Sequence, residues 1–464
     1  TLTDTMSIAA LDGTSHDVVI TINGVNDTAS ISGTSSGTVT EDSDPDSDSF
    51  LEVSGVLVVS DVDVGENVFV AGTTAGTYGN LTIDAAGSWA YSTDNTQAVV
   101  QSLAAGATLT DTISASSVDG TATQDIVVTF TGTNDAPLMS GDATGSVAED
   151  GTQSATGTLS VADVDVGDSH SWSITGDSDA DGTHAGSYGS LSLIQSGVWS
   201  YALDNASVQN LKAGETVTDS FTVSVDDGQG GTDTQQVDIT VSGSNDAAVI
   251  GGATTGSVTE DDDPDTDGFL EVSGVLTISD LDTGETSFTA TTLAGTYGSL
   301  TIDATGNWAY AADNTQAIVQ NLVAGATLTD TVTVSALDGT TQDVVITFTG
   351  TNDAPVLSGV TAGTVTEDTG LTDTGVLSVA DIDVGDSHTW TITGDADADG
   401  TQAGSYGSFS LTQSGVWSYA LDNASVQSLK AGETVTDSFT VTVDDGNDGT
   451  DTQQVDVTVT GTND

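Results

Sequence analysis

The sequence predicts an all-β protein made of four tandem β-sandwich repeats that follow a short partial repeat. Two observations support this prediction. The dipeptide Asn-Asp closes a matching segment five times, at intervals of 107 to 111 residues, and self-similarity at a fixed period is typical of tandem-repeat proteins. Within each interval apolar residues alternate with polar ones, as expected for strands that bury one face.

The Asn-Asp closures define the predicted domain boundaries. They lie at 26–27, 134–135, 245–246, 352–353 and 463–464. We expect residues 1–27 to be the C-terminal part of a preceding repeat. Repeat 1 then covers residues 28–135, repeat 2 residues 136–246, repeat 3 residues 247–353 and repeat 4 residues 354–464. Odd and even repeats carry different loops, which indicates a two-repeat unit.

The alternation is clearest in repeat 2. Seven strands in about 110 residues are typical of an immunoglobulin-like or cadherin-like β-sandwich, and we expect the sandwiches to be arranged end to end. A stretch that starts at Ala206 has helical character for one turn at most. The seven predicted strands of repeat 2 lie near 144–149, 155–162, 169–175, 189–195, 197–203, 216–226 and 233–243.

One Trp, followed two residues later by a Tyr, recurs in every repeat. Side chains two residues apart on a strand share a face. Core packing is favoured over a carbohydrate-binding platform, because few other large residues can fill each small core. The additional Trp172 and Trp390 of the even repeats are also predicted to pack in the core or at its edge. The recurring pairs are Trp89 and Tyr91, Trp199 and Tyr201, Trp308 and Tyr310, and Trp417 and Tyr419.

The charge balance excludes several classes of partner. Asp and Glu total 70 against 2 Lys and Arg, which gives a formal net charge of −68. Nucleic acids and anionic membranes are bound through clusters of Lys and Arg, whereas this chain has only Lys212 and Lys430. With 36% hydrophobic residues and 6 Trp there is a core to bury. We therefore expect a folded protein whose carboxylates are neutralised by divalent cations.

No enzymatic activity is predicted. Cysteine is absent, which excludes disulfides, thiolate metal sites and cysteine nucleophiles. Paired carboxylates recur in every repeat, and this repetition suits a structural site better than four duplicated active sites. The His residues form neither a zinc motif nor a Ser/His/Asp pattern. The sequence contains no run of eighteen or more apolar residues, so no membrane-spanning helix is predicted.

Four acidic patterns recur in the repeats, and they predict metal sites at the repeat junctions. They are the closing Asn-Asp, an early Glu-Asp pair, an Asp-x-Asp-x-Gly turn and a late turn. The late turn reads Asp119-Gly120 and Asp338-Gly339 in odd repeats, and Asp226-Asp227-Gly228 and Asp444-Asp445-Gly446 in even repeats. Calcium takes about six to eight oxygen ligands, and turns with Asp on alternate residues can supply several of them. In a head-to-tail array, the closing Asn-Asp lies at the same pole as the opening loops of the next repeat. The predicted ligands are Asn134, Asp135, Asn245, Asp246, Asn352 and Asp353; Glu149, Asp150, Glu260, Asp261, Glu367 and Asp368; and Asp61, Asp63, Asp163, Asp165, Asp280, Asp282, Asp381 and Asp383.

A further pattern, Asp-x-Asp-x-Asp-Gly, is the best local calcium signal in the chain. It does not continue into an EF-hand, because Tyr188 and Tyr406 stand where the twelfth-position Glu would be and no helices flank the loops. The alternative interpretation is a solvated acidic loop that keeps the protein soluble. The predicted ligands are Asp177, Asp179 and Asp181 in repeat 2, Asp263, Asp265 and Asp267 in repeat 3, and Asp395, Asp397 and Asp399 in repeat 4.

The order of these motifs resembles the VCBS repeats of very large RTX-type bacterial adhesins. The same segments occur in order in all four repeats, so the resemblance covers essentially the whole chain. The closing Asn-Asp-Ala-Pro at 134–137 and 352–355 also resembles the calcium-binding linker of cadherins, whereas Asn245-Asp246 lacks the proline. In repeat 4 the segments begin at Gly363 (GTVTEDTG), Gly375 (GVLSVADIDVGDSHTW), Gly404 (GSYGS), Gly415 (GVWSY), Ala431 (AGETVTDSFTV) and Gly461 (GTND).

The resemblance implies a protein that type I secretion delivers to the cell surface of a Gram-negative bacterium. It implies an extender that binds Ca²⁺ and projects an adhesive domain during cell adhesion and biofilm formation. Its partners would be calcium ions and neighbouring repeats of the same chain, while other domains bind the adhesive target. The alternative hypothesis is a secreted β-sandwich module that binds a glycan or ice through its aromatic or Thr-rich faces.

Overall fold

Each repeat folds into a sandwich of two β-sheets around its own apolar core. The structure, a computed structural model, describes residues 1–463. It divides into two compact units, Thr1–Ser244 and the residues from Asn245 onward. The first unit holds the partial repeat with repeats 1 and 2, and the second holds repeats 3 and 4.

Short strands account for most of the chain. The partial repeat forms a hairpin of β1 (Leu2–Ala9) and β2 (Ser15–Ile22). Repeat 1 contains β3 (Ser30–Gly33), β4 (Ser36–Thr40), β5 (Phe50–Ser60), β6 (Gly72–Ala75), β7 (Asn80–Ile83), β8 (Ser88–Asp94), α1 (Ala98–Gln101), β9 (Thr108–Ser116) and β10 (Thr123–Thr131). Repeat 2 contains β11 (Leu138–Gly141), β12 (Thr144–Ala148), β13 (Ser154–Ala162), β14 (Ser171–Ile174), β15 (Thr183–Ala185), β16 (Gly189–Leu193), β17 (Val198–Leu203), a 3-10 turn (Asn205–Ser207), β18 (Thr216–Asp226) and β19 (Thr232–Ser242).

The second unit repeats this pattern. Repeat 3 contains β20 (Val249–Gly252), β21 (Thr255–Thr259), β22 (Phe269–Ser279), β23 (Thr291–Ala294), β24 (Gly298–Ile302), β25 (Asn307–Asp313), α2 (Ala317–Gln320), β26 (Thr327–Ser335) and β27 (Thr341–Thr349). Repeat 4 contains β28 (Val356–Gly359), β29 (Ala362–Thr366), β30 (Thr372–Ala380), β31 (Thr389–Ile392), β32 (Thr401–Ala403), β33 (Gly407–Leu411), β34 (Val416–Leu421), α3 (Asn423–Val426), β35 (Thr434–Asp444) and β36 (Thr450–Thr460).

In every repeat a five-stranded antiparallel sheet faces a second sheet that contains one parallel pair. In repeat 2 the sheets have the orders β11-β13-β17-β16-β15 and β12-β19-β18-β14. The parallel pair is β12 with β19, in which Thr144 lies opposite Asp238. The second sheet of repeat 1 is only β4-β10-β9, because the counterpart of β14 is reduced to an isolated bridge between Phe69 and Ser117.

The predicted strands of repeat 2 are all present, with ends shifted by up to two residues, but their predicted number was wrong. The structure adds β11 and β15, of four and three residues. Both are too short to display an alternating pattern. The expected single turn of helix near Ala206 is confirmed as the 3-10 turn of repeat 2 and as α3 of repeat 4.

The predicted core aromatics are confirmed. Trp199 and Tyr201 are at most 1% exposed, and the additional Trp172 is 7% exposed. Gly157 lies opposite Trp199 on the paired strand, and a Cβ atom there would approach the indole ring to 2.4 Å. This close approach explains a glycine inside a strand, where glycine is otherwise unfavourable.

A buried carboxylate joins the two sheets of each repeat. In repeat 3 Asp330 accepts hydrogen bonds from the Tyr310 hydroxyl at 2.6 Å and from the backbone N–H groups of Thr296 and Tyr297 at 2.8 and 2.9 Å. Burial alone would raise the pKa of Asp330, but these hydrogen bonds outweigh it and the pKa lies below its usual value. The counterparts of Asp330 are Asp111, Asp219 and Asp437.

Candidate metal centre at the repeat junctions

The Asn-Asp linker is held in place by the head of the repeat that follows it. Between repeats 3 and 4 the backbone N–H of Asp353 donates to Asp383 Oδ2 at 2.9 Å, and the side-chain amide of Asn352 donates to Asp445 Oδ2 at 2.9 Å. The linker between repeats 1 and 2 makes the same two bonds, from Asp135 to Asp165 at 2.9 Å and from Asn134 to Asp227 at 2.8 Å. The backbone therefore fixes where the linker oxygens lie.

The Asp-x-Asp-x-Gly turn brings two carboxylates next to the linker. The N–H of Asp383 donates to Oδ1 of Asp381 at 3.1 Å, and Asp383 is only 3% exposed. Within residues 1–463, Asp383 Oδ1, Asn352 Oδ1 and Asp353 Oδ2 are buried and have no hydrogen-bond partner. Such oxygens are costly to bury without a partner, and oxygen atoms that lack donors are of the type that could hold a hard cation.

The junction between repeats 1 and 2 contains the same set of buried oxygens. Asn134 Oδ1, Asp135 Oδ2 and Asp165 Oδ1 are buried without a hydrogen-bond partner in the described part of the chain. Asp165 is 3% exposed. The first unit thus reproduces the arrangement of the second, atom for atom.

The early Glu-Asp pair belongs to the same junction, but it comes from the preceding repeat. Glu260 is 1% exposed, and its Oε2 accepts the backbone N–H of Thr351 at 3.0 Å. Burial raises the pKa of Glu260 to about 7, and the negative charges of Asp353, Asp261 and Asp383 add to the shift. The preceding and following repeats therefore contribute to one acidic cluster.

The carboxylates at the junction also repel one another. Burial, followed by the charges of Asp261, Asp383 and Asp381, raises the pKa of Asp353. Asp135 in the first unit is shifted in the same direction, by burial and by the charges of Asp42, Asp165 and Asp163. A bound cation would reverse the sign of this interaction, because it favours the ionised carboxylates.

A second acidic cluster lies in the heads of repeats 1 and 2. In repeat 2, Asp163, Asp168 and Asp227 each place a carboxylate oxygen within 4.8 Å of the others. The Nε2 atom of His170 lies 2.9 Å from Asp163 Oδ2, and His388 is paired with Asp381 in the same way at 2.8 Å. In repeat 1 the equivalent cluster consists of Asp61, Asp63 and Glu66.

The structure brings most of the predicted junctional residues together. In the second unit, the N–H of Asp246 donates to Asp282 Oδ2 at 2.9 Å, so this linker is held like the others although it lacks the proline. Glu149 accepts the N–H of Ser244 at 2.9 Å, and Glu367 accepts that of Thr462 at 2.8 Å. The remaining predicted ligands lie beside these residues in the chain. They are Asp150 after Glu149, Asp368 after Glu367, Asn245 before Asp246, and Asp280 two positions before Asp282.

The Asp-x-Asp-x-Asp-Gly loops lie elsewhere. In repeat 2 the loop joins β14 to β15, and Asp177, Asp179 and Asp181 place their oxygens within 4.8 Å of one another. However, Asp177 already accepts the backbone N–H groups of Ala180 and Gly182 at 3.0 and 2.9 Å. Its carboxylate stabilises the turn of its own loop, as do those of Asp263 and Asp395.

The ligands named from the sequence omit two groups of residues that belong to the clusters, although the late turn itself was recognised as a recurring acidic pattern. Asp227 and Asp445 stand in the late Asp-Asp-Gly turn and hold the linker asparagines. Glu66, Asp168, Glu285 and Asp386 directly follow the glycine of each Asp-x-Asp-x-Gly turn. The signal was present in the sequence, since an acidic residue occupies this position in all four repeats.

Comparisons with known proteins place these features in a family. The model of the bacterial cadherin-like domain matches residues 134–243, 245–350 and 352–461. No curated protein matches the chain. Within residues 1–463 no helix is long and apolar enough to cross a membrane.

Solved structures of cadherin ectodomains are similar over the whole chain at low identity. Domains 1–5 of protocadherin gamma B2 match with 15% identity and a TM-score of 0.42, over 100% of this chain and 86% of that one. The protocadherin gamma B4 ectodomain matches with 16% identity and a TM-score of 0.41, over 99% and 71%. Domains EC1–4 of Drosophila N-cadherin match with 13% identity and a TM-score of 0.33, over 93% and 99%.

Proposed function

The chain belongs to the family of bacterial cadherin-like domains, and on this basis we propose that it is a calcium-stabilised extender of a bacterial cell-surface adhesin. One observation carries the proposal. At the junction between repeats 3 and 4, buried oxygens of Asn352, Asp353 and Asp383 have no hydrogen-bond partner within residues 1–463. The set consists only of oxygen donors, which calcium prefers over softer ligands.

The residues that would hold the cation come from both sides of the junction. Glu260 and Asp261 would contribute from repeat 3, and Asp353 and Asp383 from the linker and from repeat 4. Asp381, Asp386 and Asp445, whose charges act on Asp383, would hold a further ion. When bound, calcium supplies positive charge that neutralises these carboxylates and ties consecutive repeats together.

The net charge of −68 explains why the cation matters for the whole chain. Unneutralised carboxylates at a linker repel one another and favour a flexible joint. In a cytosol with little free calcium the chain would stay loose enough for type I secretion. Outside a Gram-negative cell, calcium would stabilise the folded repeats by mass action and stiffen the joints.

In this proposal the repeats act as the spacer of an RTX-type adhesin with VCBS-like repeats. They project an adhesive domain, carried elsewhere in the parent protein, during cell adhesion and biofilm formation. Such a spacer needs the same chemistry at successive junctions and does not need a ligand-binding face, because its length depends on the stiffness of each joint.

Small-angle scattering of the full chain tests the proposal. We expect calcium to increase the maximum dimension relative to the metal-free protein, and magnesium at the same concentration to have a smaller effect. The double variant Asp165→Asn with Asp383→Asn should lose most of the response, because each substitution removes one carboxylate from a junction. Identical scattering with and without calcium would refute the extender mechanism.

A further inference from the structure

A pair of amide side chains holds the Glu-Asp pair of each repeat. In repeat 3 the Asn314 amide donates to Asp261 Oδ1 at 2.9 Å, and its carbonyl oxygen accepts the N–H of Asp261 at 3.4 Å. Gln320, at the end of α2, donates to Glu260 Oε1 at 3.3 Å and to Asp261 Oδ1 at 3.0 Å. We call Asn314 and Gln320, with their equivalents in the other repeats, the amide clamp.

The amide clamp recurs in all four repeats with the same connections. In each case the Asn side chain binds the Asp of the pair, and the Gln side chain binds both acids. The distances from the amide nitrogens to the carboxylate oxygens range from 2.6 to 3.3 Å. The equivalent residues are Asn95 and Gln101, Asn205 and Gln209, and Asn423 and Gln427.

The clamp supports an unfavourable backbone conformation. Asp261 has a φ of 60°, in the left-handed region that L-residues other than glycine seldom adopt. The two-point contact with Asn314 offsets the cost of this conformation. Asn314 and Gln320 both donate to Oδ1 of Asp261, so the clamp does not occupy Oδ2.

The chemistry of the clamp suits a cation site. Glu260 and Asp261 are neighbouring carboxylates that repel each other, and a Lys or Arg between them would cancel the charge that a cation requires. Amide N–H groups hold the two carboxylates by hydrogen bonds yet carry no net charge. The clamp therefore fixes the geometry of the pair and adds no positive charge that would compete with a cation.

We propose that Asn314 and Gln320, and their three counterpart pairs, are positioning residues that preorganise the Glu-Asp pair as cation ligands. This inference rests on the proposed function, since it assigns the role of residues that surround the same site. Some residues orient metal ligands by hydrogen bonds without contacting the metal themselves. Their loss typically weakens metal affinity by about 10- to 100-fold.

The test is calcium titration calorimetry of the full chain carrying Gln101→Met and Gln320→Met. Methionine keeps the length of the side chain but removes the N–H donors. The matched control is Gln316→Met, because Gln316 precedes the same helix and donates to the backbone carbonyls of Tyr297 and Asp313 at 2.7 and 3.0 Å. The melting temperature of each calcium-free variant is measured in parallel.

We expect the double clamp variant to weaken calcium binding at the altered junctions by about 10- to 100-fold, with little change in the calcium-free melting temperature. The control should lower the melting temperature and leave the calcium affinity unchanged. Equal calcium affinity in wild type and clamp variant would overturn the positioning role while leaving the extender proposal intact. A wild-type chain that takes up no calcium would overturn both.

Discussion

The hydroxyl of Tyr310, on one sheet of repeat 3, donates a 2.6 Å hydrogen bond to Asp330 on the other sheet. The same pair of residue types links the sheets of every repeat, as in Tyr91 with Asp111 at 2.8 Å. These links lie inside each sandwich and involve no junctional residue. Each repeat therefore has an internal source of stability that does not depend on metal ions.

Replacing Asp330 by Asn should destabilise repeat 3 by about 2–4 kcal/mol, because an amide cannot accept all the hydrogen bonds that the buried carboxylate receives. Urea unfolding in the presence of calcium measures the change. Asp343→Asn is the matched control, since Asp343 lies on the exposed face of the same sheet and its carboxylate accepts the Thr333 hydroxyl at 2.6 Å. A control as damaging as the test variant would contradict this role of Asp330.

The metal-free protein should lose stability as the pH rises from about 4.5 to about 7. The pKa of Glu260 is raised from 4.5 to about 7 in the folded chain. The pKa of Glu41 is raised to the same value. In this range the unfolded chain has released the proton while the folded chain still holds it, so rising pH favours unfolding. Melting temperatures in metal-depleted buffers at pH 5 and pH 7.5 measure the effect.

Two changes should reduce this pH dependence. Calcium would compensate the charge of the ionised glutamates, and Glu41→Gln with Glu260→Gln would eliminate the two glutamates whose pKa is raised to about 7. A melting temperature that rises between pH 5 and pH 7.5 in metal-depleted wild type would contradict the assignment.

Gly55→Ala should disrupt the core of repeat 1. A Cβ atom at Gly55 would approach the Trp89 ring to 2.6 Å, and overpacking of this kind costs about 1–3 kcal/mol. Gly72→Ala in the same repeat is the control, because a Cβ atom there meets no atom within 4 Å. Thermal unfolding followed by near-ultraviolet circular dichroism distinguishes the two variants, and equal melting temperatures would show that the indole ring can move aside.

The junctions and the Asp-x-Asp-x-Asp-Gly loops should differ in calcium affinity. Asp383→Asn removes a buried junctional carboxylate and should abolish the tightest binding step of its junction in a calorimetric titration. Asp395→Asn, in the loop of the same repeat, should leave that step unchanged, because Asp395 lies in the loop between β31 and β32 and not in the turn that holds the linker. If Asp395→Asn abolished the tightest binding step and Asp383→Asn left it unchanged, the principal calcium site would lie in the loop and not at the junction.

The sequence predicts the sandwich fold because burial in a strand follows a simple period of two. Phe221, Val223 and Val225, chosen from their alternation, are all at most 3% exposed. The edge strands β11 and β15 were missed because a segment of three or four residues has no measurable period. The Tyr-Asp link was missed as well. Asp219 lies at a position of its strand where the alternation calls for an apolar residue, so it breaks the pattern.

The candidate site was predicted in its residue types but only partly in its arrangement. The repeated spacing identified the linker, the Glu-Asp pair and the Asp-x-Asp-x-Gly turn. It did not identify Gln320 or Asn314, because amide side chains that bind carboxylates have no distinctive local pattern. Such contacts depend on where a helical turn places them relative to a residue more than fifty positions away in the chain.

The parallel pairing of β21 with β27 has a mechanical consequence. β21 lies near the entry of the chain into repeat 3 and β27 near its exit, and they run side by side from Thr255 opposite Val345 to Thr259 opposite Thr349. A pulling force on the two ends is therefore directed along the ladder, in shear. Its hydrogen bonds must break together instead of opening one after another, so we expect a tethered repeat to resist drag from flowing water.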